Sequence, residues 1–247
     1  MCKNYYFQLS QMHIIAKAKH LIPLSLKRFL KRLPLIIKSR ESIFTEYYKN
    51  NKWGDSSSRS GSGSNLDQTL LLRQSLPQIF STYKIKSILD IPCGDFHWFQ
   101  TVKLSEKMTY TGADIVQDLI EKNENTHSKQ NVRFQKLDIT SDSLPCSDII
   151  IVRDCFIHLS FADIKKALTM IKKSQSTYLL TTYFFDCVEN VDIPTGSFRR
   201  INLTIKPFNF PKPIHLIKEG CTESNGKFYD KSMGLWRLDQ LYIENFK

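Results

Sequence analysis

Residues 87–98 read Ser-Ile-Leu-Asp-Ile-Pro-Cys-Gly-Asp-Phe-His-Trp. A short apolar run, Ser87–Ile91, breaks at Pro92, and Cys93–Gly94 then forms a turn. A run this short, bounded by Pro and Gly, reads as a buried strand. Glycine at position 94 lets backbone approach closely where a side chain would obstruct. The turn is not G-x-G-x-x-G. A dinucleotide pyrophosphate needs glycines and a free helix N-terminus at this point, and Pro92 and Phe96 supply neither.

Downstream, the same strand-then-helix pattern repeats. Tyr110–Ile115 reads as a second strand, followed by a helix around 116–124. Val132–Ile139 reads as a third strand. Asp148–Asp154 is a fourth, with the continuous apolar run of a strand buried on both faces. Phe161–Lys173 is an amphipathic helix, and Tyr178–Phe185 a fifth strand. Such alternation predicts an α/β fold with a mostly parallel sheet, flanking helices and right-handed crossovers. Beyond residue 186 the chain is rich in Pro and Gly. Short strand-like pieces stand there at Leu203–Ile205, His215–Ile217 and Gly234–Leu238.

Upstream, residues 66–76 carry a helix pattern (Leu66, Leu70, Leu72, Leu76) that Pro77 is expected to end, with Ser64 or Asn65 as cap. The Gly/Ser-rich residues 53–65 before it read either as a flexible linker or as an ordered loop offering backbone N–H groups to a ligand. The helix pattern that follows at once favours the loop.

The formal net charge of +11 is uneven: residues 1–50 hold ten Lys/Arg against two acids, leaving 25 against 22 for the rest. The basic character therefore belongs to an N-terminal arm, residues 1–42, and not to the domain at 43–247. Nucleic acid is accordingly not the expected partner. Residues 12–38 are basic and amphipathic, split by Pro23 and Pro34. They suit either a helical arm packed on the domain or an anchor on an anionic membrane surface. No apolar run reaches the roughly 18 residues of a membrane span. The six cysteines show no C-x-x-C or zinc spacing. They are expected to be reduced thiols in a cytoplasmic protein, either free or peripheral to the inner face of the membrane, with no metal site.

Four carboxylates stand at or near strand ends: Asp90, Asp114, Asp138 and Asp154, at intervals of 24, 24 and 16 residues. Ligands of open α/β sheets bind outside the carboxyl ends of the strands, so these acids can face one ligand with several donors. An adenosine fits. Asp114 can accept both ribose hydroxyls, the role of an acid about 20 residues past a nucleotide turn, and Asp138 can accept from an exocyclic amine. A ligand without phosphate suits Pro92 and Phe96, which points away from hydride transfer and toward methyl transfer.

These residues resemble the class I S-adenosylmethionine (SAM)-dependent methyltransferases, a Rossmann-like family. The resemblance spans 85–185. It implies that Asp90, Pro92, Cys93 and Gly94 seat SAM in the first motif, that Asp114 and Ile115 hold the ribose, that Asp138 and Ile139 hold the adenine, and that Arg153 lies near the cofactor. Pro92 and Phe96 depart from the family's glycines. Residues 44–239 are also similar to a bacterial subgroup associated with surface polysaccharide biosynthesis. That similarity rests on Lys52-Trp-Gly, Ser60-Gly-Ser-Gly-Ser, Asp90-Ile-Pro-Cys-Gly-Asp-Phe-His-Trp, Arg153-Asp-Cys-Phe-Ile-His-Leu-Ser, Asp192-Ile-Pro-Thr-Gly, Pro207-Phe-Asn-Phe-Pro, Glu219-Gly-Cys-Thr-Glu and Lys231-Ser-Met-Gly-Leu-Trp-Arg-Leu. It implies O-methylation of a sugar, glycan precursor or other small hydroxylated acceptor.

Transfer to a hydroxyl needs alignment and a base. His158 is the expected base, with Asp154 as alternative or orienter, although a structural role for His158 stands beside this. Trp53, His97, Trp98 and Arg199 are candidate acceptor contacts, and Arg199 with Arg200 would suit an anionic acceptor. The contrasting reading is a non-catalytic Rossmann-like protein whose basic arm meets RNA or a membrane.

Overall fold

A computed structural model describes Pro23 and residues 35–242. The chain divides into two compact units, Met1–Lys38 and Ser39–Lys247, and the description below concerns the second. Most of the 12–38 stretch, with its membrane reading, lies outside the described residues. The larger unit begins earlier than the 42/43 boundary read from composition. The reason is local: Ser39 Oγ accepts the Ser42 N–H and caps helix α1, Arg40–Lys49.

A seven-stranded sheet organises the unit: β1 (Ser87–Asp90), β2 (Thr109–Asp114), β3 (Val132–Lys136), β4 (Ile149–Val152), β5 (Tyr178–Phe184), β6 (His215–Lys218) and β7 (Lys231–Arg237). Its spatial order is β3-β2-β1-β4-β5-β7-β6. β1 to β5 pair in parallel, and β7 runs antiparallel between β5 and β6. Ile149–Val152 are all fully buried, as a central strand covered on both faces requires. Alternation splits the core in two. Leu89, Ile150 and Val152 pack on one face, and Ile88, Ile149 and Ile151 on the other.

Helices α2 (Leu70–Thr82), α3 (Gln117–His127) and α4 (Phe161–Lys173) flank the sheet. α4 buries Ile164, Ala167, Leu168 and Ile171 on one stripe, is capped by Ser160, and ends on Lys172 and Lys173, cations that favour a helix C-terminus. α2 corrects the expectation at Pro77: it starts at Leu70 and runs through the proline to Thr82. Residues 65–69 are taken by a turn in which Asn65 Oδ1 accepts the Gln68 N–H and Thr69 Oγ1 donates to the Asn65 carbonyl. Beyond Pro77 the stripe continues with buried Ile79 and Phe80. An interior proline costs about 3 kcal/mol, and burying two such side chains at roughly 1.5–3 kcal/mol each offsets it.

Side-chain turns shorten one expected strand and replace another. β3 stops at Lys136 because Asp138 Oδ1 accepts both the N–H and Oγ1 of Thr140, an Asx turn that competes with the ladder. Leu203–Ile205 forms no strand, since Asn202 Oδ1 accepts the same two groups from Thr204.

Register decides what meets at the carboxyl edge. Asp90 pairs level with Gly112 and Ile151, so the ends of β1, β2 and β4 open on one side. β7 is antiparallel, so its first residue, Lys231, lies opposite Phe184 at the end of β5. β6 ends beside Ser232, which delivers Glu219 to the same edge.

Candidate active site

A cavity of about 270 Å³ opens along this edge, from Asp114, Asp138 and Ile139 through Pro92–Gly94 to Asp154, His158 and Lys231. It is concave and largely apolar with a few convergent polar groups, the usual character of a small-molecule site.

At one end, the Asp114 carboxylate accepts the Gly94 N–H (3.2 Å) and the Val116 N–H (3.0 Å). Burial pushes its pKa up to about 6 against the pull of those backbone donors. The Ile115 N–H acts on it as well, and among the described residues no cation pairs with it, so at least one of its roughly four acceptor positions stays open. Asp138 is different. Its Oδ2 accepts Arg40 Nε (3.0 Å) and Nη2 (2.9 Å), and its Oδ1 accepts the two groups of Thr140. Burial would raise its pKa, but Thr140 and Arg40 hold it below the ordinary carboxylate range.

The middle of the cavity is floored by Pro92, Cys93 and Gly94 and roofed by the Gly/Ser loop, which is ordered. Asp95 fastens that loop by accepting Ser58 Oγ (3.0 Å) and the Arg59 N–H (2.7 Å), and Ser60 Oγ accepts the Asp95 N–H. Gly94 has φ +56°, and a Cβ there would collide with Ser60 Oγ. This position therefore requires glycine. Phe96 points away from the cavity, into a cluster with Phe99, Tyr110 and Phe134.

At the other end stands a charge network. Arg153 grips Glu219 through Nε (3.0 Å) and Nη2 (2.9 Å) and donates from Nη2 to the Gly63 carbonyl (2.7 Å). Lys231 Nζ lies 2.7 Å from Asp154 Oδ2 and 3.4 Å from Glu219 Oε2. Burial alone would raise the Asp154 pKa, but Lys231 and Arg153 bring it down to about 2. Burial would likewise lower Lys231, and Asp154 and Glu219 raise it instead. Asp154 adopts φ +51°, a left-handed conformation that Asp tolerates better than most residues. His158 shares a contact of 2.8 Å between its Nδ1 and the Ser197 carbonyl. A carbonyl only accepts, so Nδ1 carries the proton and Nε2 keeps its lone pair. Burial lowers the His158 pKa, against the Ser197 contact, so the ring is neutral near pH 7. Trp53 and Phe198 lie 6.0 and 5.9 Å from it, ring centre to ring centre.

The cavity thus brings together Pro92, Cys93, Gly94, Asp114, Ile115, Asp138, Ile139, Arg153, Asp154, His158, Trp53 and Trp98. Trp98 stacks under the Arg153 guanidinium at 5.4 Å. Three expected residues lie elsewhere. Asp90 is buried behind the turn and accepts Tyr110 Oη (2.7 Å); burial pushes its pKa up to about 7. His97 does not line the cavity, and its N–H donates to Asp95. Arg199 is buried, donates to the Phe156 carbonyl and lies over the Phe161 ring; Arg200 pairs with Asp230. Neither arginine lines the cavity.

Arg40, Phe44, Tyr48, Glu223 and Lys231 line the cavity without having been singled out. By composition Arg40 belongs to the basic arm. Lys231 and Glu219 stood in stretches noted only for resemblance. Among the described residues no cluster of three or more His, Cys, Asp or Glu could hold a metal, the described cysteines are free, and no helix is long and apolar enough to cross a membrane.

Solved structures of the same architecture carry the comparison. Human N-acetylserotonin methyltransferase in complex with SAM superposes with a TM-score of 0.53 at 15% identity, over 81% of this chain and 60% of that one. The fold is the Rossmann-like methyltransferase fold. Magnesium protoporphyrin IX methyltransferase from Synechocystis PCC 6803 with bound SAM shares the methyltransferase fold at TM-score 0.53 and 11% identity, over 81% and 97% of the two chains. The methyltransferase domain of bacterial CtHen1 shares it at 0.52 and 11%, over 70% and 100%. No protein-family model and no curated protein matches the chain.

Proposed function

We propose that this protein is a SAM-dependent methyltransferase that methylates a hydroxyl of a small acceptor, of the sugar or glycan-precursor class. The observation that carries the cofactor is Asp114. It is a buried carboxylate with no cation partner among the described residues and with acceptor capacity left, lining a cavity at the end of β2. A ribose diol supplies the donors it lacks. The fold shared with SAM-bound methyltransferases supports the same reading, and the absence of a phosphate cradle at Pro92–Phe96 agrees with it.

When bound, SAM supplies a methyl group made electrophilic by its sulfonium. Asp114 would hold the ribose, Ile115 and Ile139 would flank the adenosine, and Gly94 would give the backbone room beside it. The neutral His158 ring supports a base role: its Nε2 lone pair would take the hydroxyl proton as the acceptor oxygen bonds to the methyl carbon and the methyl–sulfur bond breaks, its electron pair staying on sulfur in the neutral thioether that leaves. Asp154 is a poor base, because Lys231 and Arg153 hold it ionised and occupied; it orients Lys231 instead. Trp53, Phe198 and Phe228 offer flat apolar faces to an acceptor ring. The acceptor class rests on the resemblance of the 44–239 stretches to the polysaccharide-associated subgroup.

The test is transfer of tritiated methyl from SAM into a fractionated extract of small metabolites. Label should enter hydroxylated, ring-bearing compounds. His158→Ala should lower the rate by roughly 10²–10⁴ while S-adenosylhomocysteine (AdoHcy) binding persists. Label appearing only on nitrogen or sulfur would overturn the acceptor class, and wild-type turnover in His158→Ala would remove the base.

A further inference from the structure

Asp138 is saturated from two sides that differ in kind. Thr140 lies two residues along the same turn, so its two bonds to Oδ1 are held by the chain. Arg40 reaches Oδ2 from α1, 98 residues away in sequence. Arg40 also has a second seat: its Nη1 donates to Asp163 Oδ1 at 3.3 Å. A carboxylate offers about four acceptor positions, and all four are in use. A donor arriving at Asp138 from the cavity therefore has to displace a partner. Arg40 is the one with somewhere else to go.

Resting on the SAM reading above, we propose that Arg40 is a specificity-determining residue of the cofactor pocket, competing with the 6-amino group of the purine for Asp138. A 6-amino purine takes one Oδ2 position, and Arg40 shifts its weight to Asp163. A 6-oxo purine brings an acceptor instead of a donor; it leaves Arg40 on Asp138 and accepts from the guanidinium. Arg40 thus narrows the preference for adenine over hypoxanthine that Asp138 alone would impose. The same exchange couples α1 to the pocket, because Arg40 is the residue of that helix bonded to both carboxylates.

The experiment is equilibrium titration of the full chain with AdoHcy and with S-inosyl-homocysteine, followed by the fluorescence of Trp53 and Trp98. Arg40→Ala should bind AdoHcy about three- to ten-fold more tightly and the inosyl analogue more weakly, so that their affinity ratio rises about ten-fold or more. Arg40→Lys keeps the charge but gives up the fork, and should move the ratio part of the way; it serves where the alanine variant folds poorly. Asp163→Asn removes the second seat and should lower the ratio. A ratio unchanged in the folded variants, or a parallel loss for both ligands, would overturn the competition. Failure of the wild type to bind either ligand would overturn the cofactor reading as well, whereas wild-type binding with an unchanged ratio removes Arg40 alone.

Discussion

Asp114 and Asp154 are both strand-end carboxylates at one sheet edge, yet their surroundings drive them in opposite directions. Asp114 meets only backbone N–H groups, and burial raises its pKa to about 6. Asp154 meets Lys231 and Arg153, and its pKa falls to about 2. The first keeps room for a further donor, which the proposed function assigns to a ligand. The second is neutralised by the protein itself. Position in the α/β repeat puts a carboxylate at the edge; the cations that reach it decide what it does there.

Breaking the network at the Asp154 end should have the largest effect on stability. Glu219 is 2% exposed and holds both Arg153 and Lys231. Glu219→Ala leaves two buried cations short of a partner and should cost about 3–5 kcal/mol, read from urea denaturation. A loss below 1 kcal/mol would mean that water or a rearranged Asp154 replaces it.

A smaller effect with a definite sign should come from the uncompensated acids. Asp90, with its pKa raised to about 7, binds a proton in the native state across a range where the unfolded chain, titrating near 4, does not. Its contribution is complete below pH 4 and is lost as pH rises through 7. Asp114 acts in the same direction with a midpoint near 6. Asp154 has the opposite sign: its contribution is present above pH 4 and is lost as pH falls through 2. Asp90→Asn should therefore gain stability relative to wild type between pH 5 and pH 8 in paired urea titrations. An identical difference at the two pH values would contradict the assignment.

The smallest effect belongs to the exposed fastening of α1. Lys49 and Asp118 pair at 2.9 Å with about half of each side chain in solvent. Lys49→Ala should change stability by no more than roughly 0.5 kcal/mol, and less in high salt, as measured by thermal unfolding. A large loss would show that this surface pair does more than the half-buried Arg40 contacts of the same helix.

The contrast between the two ends also explains what could be read in advance. The parallel sheet and the row of strand-end acids are legible because one strand–helix unit repeats: Asp90, Asp114 and Asp138 fall at equal intervals. The other end depends on β7, which runs backwards. Lys231 and Ser232 are polar and look like loop, so the strand was read only from Gly234. The residue that the antiparallel return carries to the edge was thereby missed. Arg40 was hidden for a different reason: in a run of basic residues, one paired arginine looks like its solvated neighbours. Pro77 misled because a local rule was outweighed by the burial of Ile79 and Phe80. Asp90 matches the first motif by position, but its carboxylate turns inward to Tyr110, a choice of rotamer that spacing does not encode.

The central claim is that the open carboxylate of Asp114 holds the ribose of SAM. Calorimetric titration with AdoHcy of wild type and Asp114→Asn tests it most directly. Hydrogen bonds to a charged acceptor contribute roughly 1.5–3 kcal/mol each. Wild type should bind one-to-one, and the variant, its fold intact, should lose at least about ten-fold in affinity. Equal affinity in the two proteins, or no binding by wild type, would contradict it.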